Sequence, residues 1–203
     1  MTKGQILVIS GPSGSGKSTL VNRLMQEESD IYFSISSTTR AIRDGEKDGV
    51  NYHYISVDEF KDGILNDEFL EWAMVHKNYY GTSIKPVLEA LESGKTVIFD
   101  IDVQGFNIVK DKFKDEITSV FITTTNCVEL RNRLVNRATD EPKVIERRIM
   151  NAIGEMEHIK AYDYFLINDD LEKSYRGFKA IYESMKFKTA SINLRDVIES
   201  WIN

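Results

Sequence analysis

Gly11, Pro12, Ser13, Gly14, Ser15, Gly16, Lys17 and Ser18 match G-x-x-x-x-G-K-[ST], between an apolar run of strand length and a stretch with helical spacing. That setting is the one a phosphate-binding loop needs. Glycine lets successive N–H groups turn inward around an anion, and a helix N-terminus adds partial positive charge. Lys17 is then a point charge for the β- and γ-phosphates of a nucleoside triphosphate, and Ser18 a hydroxyl for its Mg2+. Thr19 either touches a phosphate or only continues the helix. The plainer alternative is a Gly-Ser turn joining strand to helix; the pattern would then have arisen by chance, roughly a one-in-a-hundred event in a chain this long. Such a loop does not separate kinases from GTPases or motors, so an acceptor must be read elsewhere.

A second cluster supplies candidates. Ser36, Arg40, Arg43 and Glu46, with Tyr52, Tyr80 and Thr82, gather guanidiniums, hydroxyls and phenols on loop-rich chain. Arginine forks suit a phosphate monoester, and phenols complete its coordination without adding charge. Alternatively, Arg40 and Arg43 pair with Asp44 and Glu46 on a solvated loop. Asp100 closes the apolar run TVIFD, where an acid beside a phosphate loop acts on Mg2+ or its waters. Asp102 faces the acceptor or caps the following helix. Arg133 and Arg137, four apart, share a helix face, and Arg147 and Arg148 lie on a later helix. His53, His76 and His158 show no ligand spacing, and Trp72 and Trp201 read as packing residues.

These groups must be carried by a frame. QILVIS, TVIF, ITSVFI and YFLI are apolar strand runs separated by helical stretches. That alternation predicts an α/β fold of P-loop NTPase type, with a parallel sheet covered by helices on both faces and ligands outside the carboxyl ends of its strands. Two segments break the rhythm. Residues 36 to about 82 form an insertion in which NYHYISV and EFLEWAMV read as short antiparallel strands. Residues 126–160 read as two helices. In the first, Asn126 is the candidate N-cap with Glu129 behind it; in the second, Pro142 sits in the first turn and Ile145, Ile149, Ala152, Ile153 and Met156 share one face. The core is then 1–35, 83–125 and 161–188, within one domain spanning 1–203. A terminal helix in 189–203 is expected to pack through Leu194, Val197, Ile198 and Trp201.

Composition bounds the partners. A chain of 203 residues that is 41% hydrophobic has room for one well-filled core. Its net charge of -6 argues against a general nucleic-acid surface. Cys127, the single cysteine, leaves no intramolecular disulfide or cysteine zinc cage and fits a reducing compartment. No run is long enough to span a bilayer, and MTKGQILVIS lacks a signal-peptide core. The expected setting is cytoplasmic.

The ordered set ISGPSGSGKST, SSTTR-x-x-R-x-GE, EFLEWA, NYYGT, FDIDVQG, RL-x-x-R and DYFLINDDL resembles guanylate kinase, from near the start to about residue 186. The resemblance implies transfer of the γ-phosphoryl group of ATP to GMP and dGMP, with Mg2+, inside a fold with a GMP-binding insertion and a mobile lid. It places Arg40, Arg43, Tyr52 and Tyr80 on the GMP phosphate, Ser36, Glu71 and Thr82 on guanine, and Glu46, Asp100 and Asp102 in the same site. The two aspartates' separate roles stay open. Arg133, Arg137 and Arg148 match the family's lid arginines, with Arg147 as neighbour. Guanine's N1–H and amino group give a carboxylate at Glu71 two donors that adenine lacks. Asn168-Asp-Asp170 resembles a segment near the family's adenine pocket and otherwise reads as an end-of-strand turn and helix cap. Two positions depart from the family: Ile42 where proline is usual, and Ala138 where glycine follows the lid arginine. Other monophosphate acceptors (AMP, dTMP, a ribose phosphate) and a protein-binding module of the same fold are the competing readings; such modules commonly lack a working loop. Oligomeric state is not legible.

Overall fold

In a computed structural model describing residues 4–75, 77–136 and 141–202, the run QILVIS becomes β1 (Gln5–Ser10), buried at every position. The glycine-rich loop leads into α1 (Lys17–Glu27), followed by β2 (Ile31–Phe33) and the short strands β3 (Ser37–Thr38) and β4 (His53–Tyr54). Next come α2 (Val57–Leu65), β5 (Phe69–Val75), β6 (Asn78–Ser83) and α3 (Ile84–Glu92). β7 (Thr96–Asp100), α4 (Val103–Phe113) and β8 (Ile117–Thr123) lead to two helices, α5 (Cys127–Asn136) and α6 (Pro142–Met156). β9 (Tyr164–Ile167), α7 (Leu171–Met185) and α8 (Leu194–Ile202) follow.

The main sheet has the order β2-β7-β1-β8-β9, with every neighbouring pair parallel. Parallel strands need crossover connections, and the helices that supply them cover both faces. Along β1 the side chains alternate accordingly. Ile6 and Val8 pack with Val87 of α3 and Phe106 and Val109 of α4; Leu7 and Ile9 pack with Leu20 and Leu24 of α1 and Phe178 of α7. Each such fully buried side chain contributes roughly 1.5–3 kcal/mol. β1 lies between β7 and β8, so the loop leaving its carboxyl end opens where successive connections diverge, the usual ligand crevice of such sheets.

The second sheet has the order β4-β3-β6-β5. β6 runs antiparallel to β3 and β5, as expected for EFLEWAMV. NYHYISV behaves differently: only His53 and Tyr54 form a strand, and it is parallel to β3. Ser56 then starts α2, its Oγ accepting from the Glu59 N–H while Glu59 Oε2 accepts from the Ser56 N–H. This capping box draws Val57 into a helix. Phe60 of α2 stacks on Phe69, with centroids 4.3 Å apart, and so pins the helix onto the sheet.

Three further expectations need correction. Leu130 and Leu134 of α5 pack with Ile145, Ile149 and Ala152 of α6, but Ile153 and Met156 are 51% and 38% exposed. Ile153 lies about 80° around the helix from Ile145, off the stripe. Met156 is in the last turn of the fifteen-residue α6, beyond its contact with the ten-residue α5. The stripe of α8 is real, yet Leu194, Val197, Ile198 and Trp201 are all exposed, Trp201 at 89%. The sheet's faces are already taken by α1 and α7 on one side and α3 and α4 on the other. Trp72 is also exposed, tilted against Tyr79. No helix among the described residues is long and apolar enough to cross a membrane.

Candidate active site

β1 gives way to Gly11, whose φ of 134° is open to glycine, and a Cβ there would enter the Ile122 carbonyl oxygen of β8. Gly14 and Gly16 also have positive φ, 97° and 91°. Gly16 is the N-cap of α1 and offers no side chain to its first turn, so the initial helical N–H groups remain available to an anion. Lys17 Nζ donates to the carbonyl oxygens of Gly11 at 2.6 Å and Pro12 at 3.3 Å. It also stands 3.7 Å from Asp100 Oδ1 at the end of β7. Burial raises the Asp100 carboxyl above its ordinary range, and the Lys17 ammonium opposes that rise.

Asp102 caps α4: its Oδ1 accepts from the N–H groups of Gln104 at 3.0 Å and Gly105 at 2.8 Å. The capping alternative is thus realised, and the residue still borders a 340 Å³ cavity with Lys17, Ser18, Thr19, Asp100 and Glu155. Ser18 and these carboxylates are hard oxygen donors suited to a divalent cation such as Mg2+. Among the described residues no group of three or more His, Cys, Asp or Glu is arranged to hold a metal unaided. The set therefore fits a cation that arrives with phosphate and water ligands. Larger concavities exist, one of 660 Å³ beside Phe113 and Leu194, but the loop cavity is where a helix N-terminus, an ammonium and a partly buried acid converge.

Asn168, just past the end of β9, is legible in the sequence only by resemblance, within a segment near the family's adenine pocket. It is buried, and its Nδ2 donates to the Ser15 carbonyl oxygen at 2.8 Å. Its own carbonyl accepts from Arg133 Nη2 at 2.9 Å, while Arg133 Nε donates to Glu129 Oε1. Asn126 Oδ1 caps α5 through the Glu129 N–H, as expected. One asparagine thus ties the loop to the last strand and to α5. Asn168→Ala leaves the Ser15 carbonyl without its buried donor and should cost about 1–3 kcal/mol of folding free energy. Denaturant unfolding measures this.

Around the second sheet, Arg40 Nη2 donates to both Glu46 oxygens, at 2.8 and 3.0 Å. Glu46 Oε2 also accepts from the Arg43 N–H and the Tyr54 hydroxyl. Arg40 and the Arg43 amide hold the Glu46 carboxyl down at about 2, and Glu46 in turn raises Arg40. The pairing alternative is therefore real for Arg40, but its side chain and that of Glu46 are only 12% and 19% exposed, which is no solvated loop. Tyr52 packs edge-on against Tyr80, centroids 5.8 Å apart, with the Arg40 guanidinium 5.5 Å from its own ring centre. Arg43 and Ile42 are exposed. The Tyr54 contact was legible only as alternation in NYHY.

Glu71 on β5 and Thr82 on β6 are register partners. Thr82 Oγ1 donates to Glu71 Oε1 at 2.7 Å and lies 3.5 Å from Ser36 Oγ. Burial, with the charge of Asp102, raises the Glu71 carboxyl, and the Thr82 hydrogen bond moderates that rise. Arg148 of α6 reaches Ser13 Oγ with Nη1 at 3.3 Å; Arg147 is exposed. Arg131 and Glu146, unremarked in the sequence, join α5 to α6. Arg137, Ala138 and His76 lie outside the described residues. A second cavity, of 440 Å³, opens between Gly16, Thr19, Arg133, Asn168 and Leu171.

Known proteins resemble this chain over nearly its whole length. The family profile described as "Guanylate kinase" matches residues 3–185. A guanylate kinase of Campylobacter jejuni is 53% identical over 200 residues, 98% of this chain and 98% of that protein. One from Helicobacter hepaticus is 50% identical over 201 residues, 99% and 100% of the two chains. The crystal structure of guanylate kinase from Anaplasma phagocytophilum superposes with a TM-score of 0.79 at 32% identity, covering 98% of this chain and 96% of that one.

Proposed function

This chain belongs to the guanylate kinase family of ATP-dependent nucleoside monophosphate kinases, and we propose that it transfers the γ-phosphoryl group of ATP to GMP, giving ADP and GDP. The observation that carries the choice of acceptor is the Glu71 carboxylate fixed by Thr82 beside Ser36. Thr82 occupies Oε1 from one side and orients the carboxylate, leaving lone pairs for guanine's N1–H and amino group; adenine has neither donor there. A buried carboxylate beside the wrong base stays unpaired, which supports discrimination by orders of magnitude.

Arg40, Arg43, Tyr52 and Tyr80 hold the GMP phosphate in this reading, and Glu46 acts by presenting the Arg40 fork. The insertion of about 36–82 is the GMP-binding unit and 126–160 the lid. Gly11, Pro12, Ser13, Gly14, Ser15, Gly16, Lys17, Ser18 and Thr19 bind the ATP phosphates, and the 440 Å³ cavity beside Asn168 suits the nucleoside. A GMP phosphate oxygen attacks the γ-phosphorus in line as the bond to the β,γ-bridging oxygen breaks. The attacking oxygen is already anionic, so positioning and charge neutralisation matter more than a base. Lys17, Arg133, Arg137 and Arg148 supply the neutralising charge. Mg2+, bound through Ser18, phosphates and waters, would supply Lewis-acid stabilisation of the phosphoryl oxygens. With Asp102 engaged at the N-terminus of α4, Asp100 is the better placed of the two aspartates for its waters. A reducing, cytoplasmic setting accords with the lone Cys127, which is exposed and unpaired.

The test is an acceptor panel with ATP: GMP, dGMP, AMP, UMP and dTMP. GMP and dGMP should be phosphorylated at least about a hundredfold more efficiently than AMP. Equal rates for AMP and GMP would remove Glu71 from the argument, and no transfer to any acceptor would favour a binding module.

A further inference from the structure

Helix α6 brings side chains of opposite charge to the donor site. Arg148 lies against Ser13 at one end of the loop. Glu155, about two turns further along the same helix, lines the 340 Å³ cavity together with Lys17, Ser18, Asp100 and Asp102. Among the described residues it is the only side chain of α6 in that lining. Glu155 is half-buried. Burial and the Asp102 charge raise its carboxyl, against the pull of Lys17 and His158.

Lys17 is the cation nearest the chemistry, and a triphosphate takes up its charge. Glu155 would then face phosphate oxygens while Asp100 and Asp102 border the same cavity. Like charges confined in a partly desolvated space repel far more than they do in water. A divalent cation carried by the phosphates reverses the sign, because each carboxylate then faces positive charge directly or through a bound water. A lid arginine on the same helix draws in any triphosphate, with or without metal; the glutamate does not.

We propose that Glu155 is a specificity-determining residue by which α6 accepts the metal-bound triphosphate and rejects the metal-free one. The proposal rests on the ATP-site reading above. It is tested by calorimetric titration of ATP into the whole protein, with GMP absent, in excess Mg2+ and again in EDTA. In the unaltered protein the affinity should be higher with metal. Glu155→Gln should reduce the ratio of the two dissociation constants by about tenfold, chiefly by tightening metal-free ATP, since one unit charge across a few ångströms of partly buried space is worth at least that factor. Glu155→Asp keeps the charge and should restore most of the ratio, which a purely structural role of the longer side chain would not. Glu157→Gln removes the same charge from the exposed end of α6 and should leave the ratio unchanged, as should all three variants the affinity for GMP. An unchanged ratio in Glu155→Gln, or an equal fall in Glu157→Gln, overturns the proposal while leaving the donor site standing. Failure of the unaltered protein to bind ATP under either condition overturns the donor site as well.

Discussion

Lys17→Ala is expected to lower turnover by on the order of a thousandfold or more, with the fold retained. The ammonium is poised over the loop by the carbonyl oxygens of Gly11 and Pro12, so its charge sits where the β- and γ-phosphates must lie. It is also a counter-charge for the partly buried Asp100. Removing it lets burial act on Asp100 unopposed, and the carboxyl responds by keeping its proton to higher pH. A carboxyl whose folded pKa is raised binds more protons folded than unfolded, so the variant loses stability as pH rises through that interval. The deficit of Lys17→Ala against the unaltered protein should therefore grow as pH rises above the ordinary aspartate range, and adding Asp100→Asn should abolish that growth without restoring turnover. Single-turnover kinetics and thermal unfolding across pH separate the two effects. Near-normal turnover would remove the loop from the mechanism.

The central sheet was legible because β1, β7 and β8 are buried on both faces, and such strands read as the continuous apolar runs QILVIS, TVIF and ITSVFI; the edge strand β9 keeps the apolar run YFLI although most of it is exposed. β2, three residues long, is too short to leave such a run. NYHYISV alternates like a strand, but Ser56 and Glu59 form a capping box within it and beyond, and that local chemistry outweighs alternation. The stripe of α8 shows the limit of periodicity: it identifies an apolar face without identifying anything to cover it. In the site, the loop and the arginines were visible as residue types at fixed spacing. Asn168 was visible only by resemblance, and its bond to Ser15 not at all, because that bond spans 153 positions and depends on β9 lying beside β8. Glu155 was likewise hidden, since only the packing of α6 over the loop brings it to Lys17. For Arg40 the choice between an ion pair and a ligand fork was falsely posed: Glu46 takes Nη2 and the Ala41 carbonyl takes Nη1, so a partly buried guanidinium is held in place at the site.

Glu71→Gln should lower kcat/KM for GMP by about a hundred- to a thousandfold and narrow the preference for GMP over AMP by a similar factor. Thr82 decides the outcome. Its hydroxyl donates to Oε1 of Glu71 at 2.7 Å, so in the variant it will select the amide oxygen as acceptor. The amide nitrogen is then turned toward the base, and its N–H groups meet guanine's own N1–H and amino donors. Two donors facing each other in a partly buried site cost more than a simple deletion, because both lose water and neither gains a partner. Glu71→Ala, which leaves room for water, should accordingly be impaired less than Glu71→Gln despite being the larger truncation. Adding Thr82→Val to Glu71→Gln frees the amide to rotate and should recover part of the lost GMP activity, at the cost of positional order. A steady-state comparison of GMP and AMP across these variants measures each step, and a Gln variant less impaired than the Ala variant would show that Thr82 does not set the orientation of residue 71.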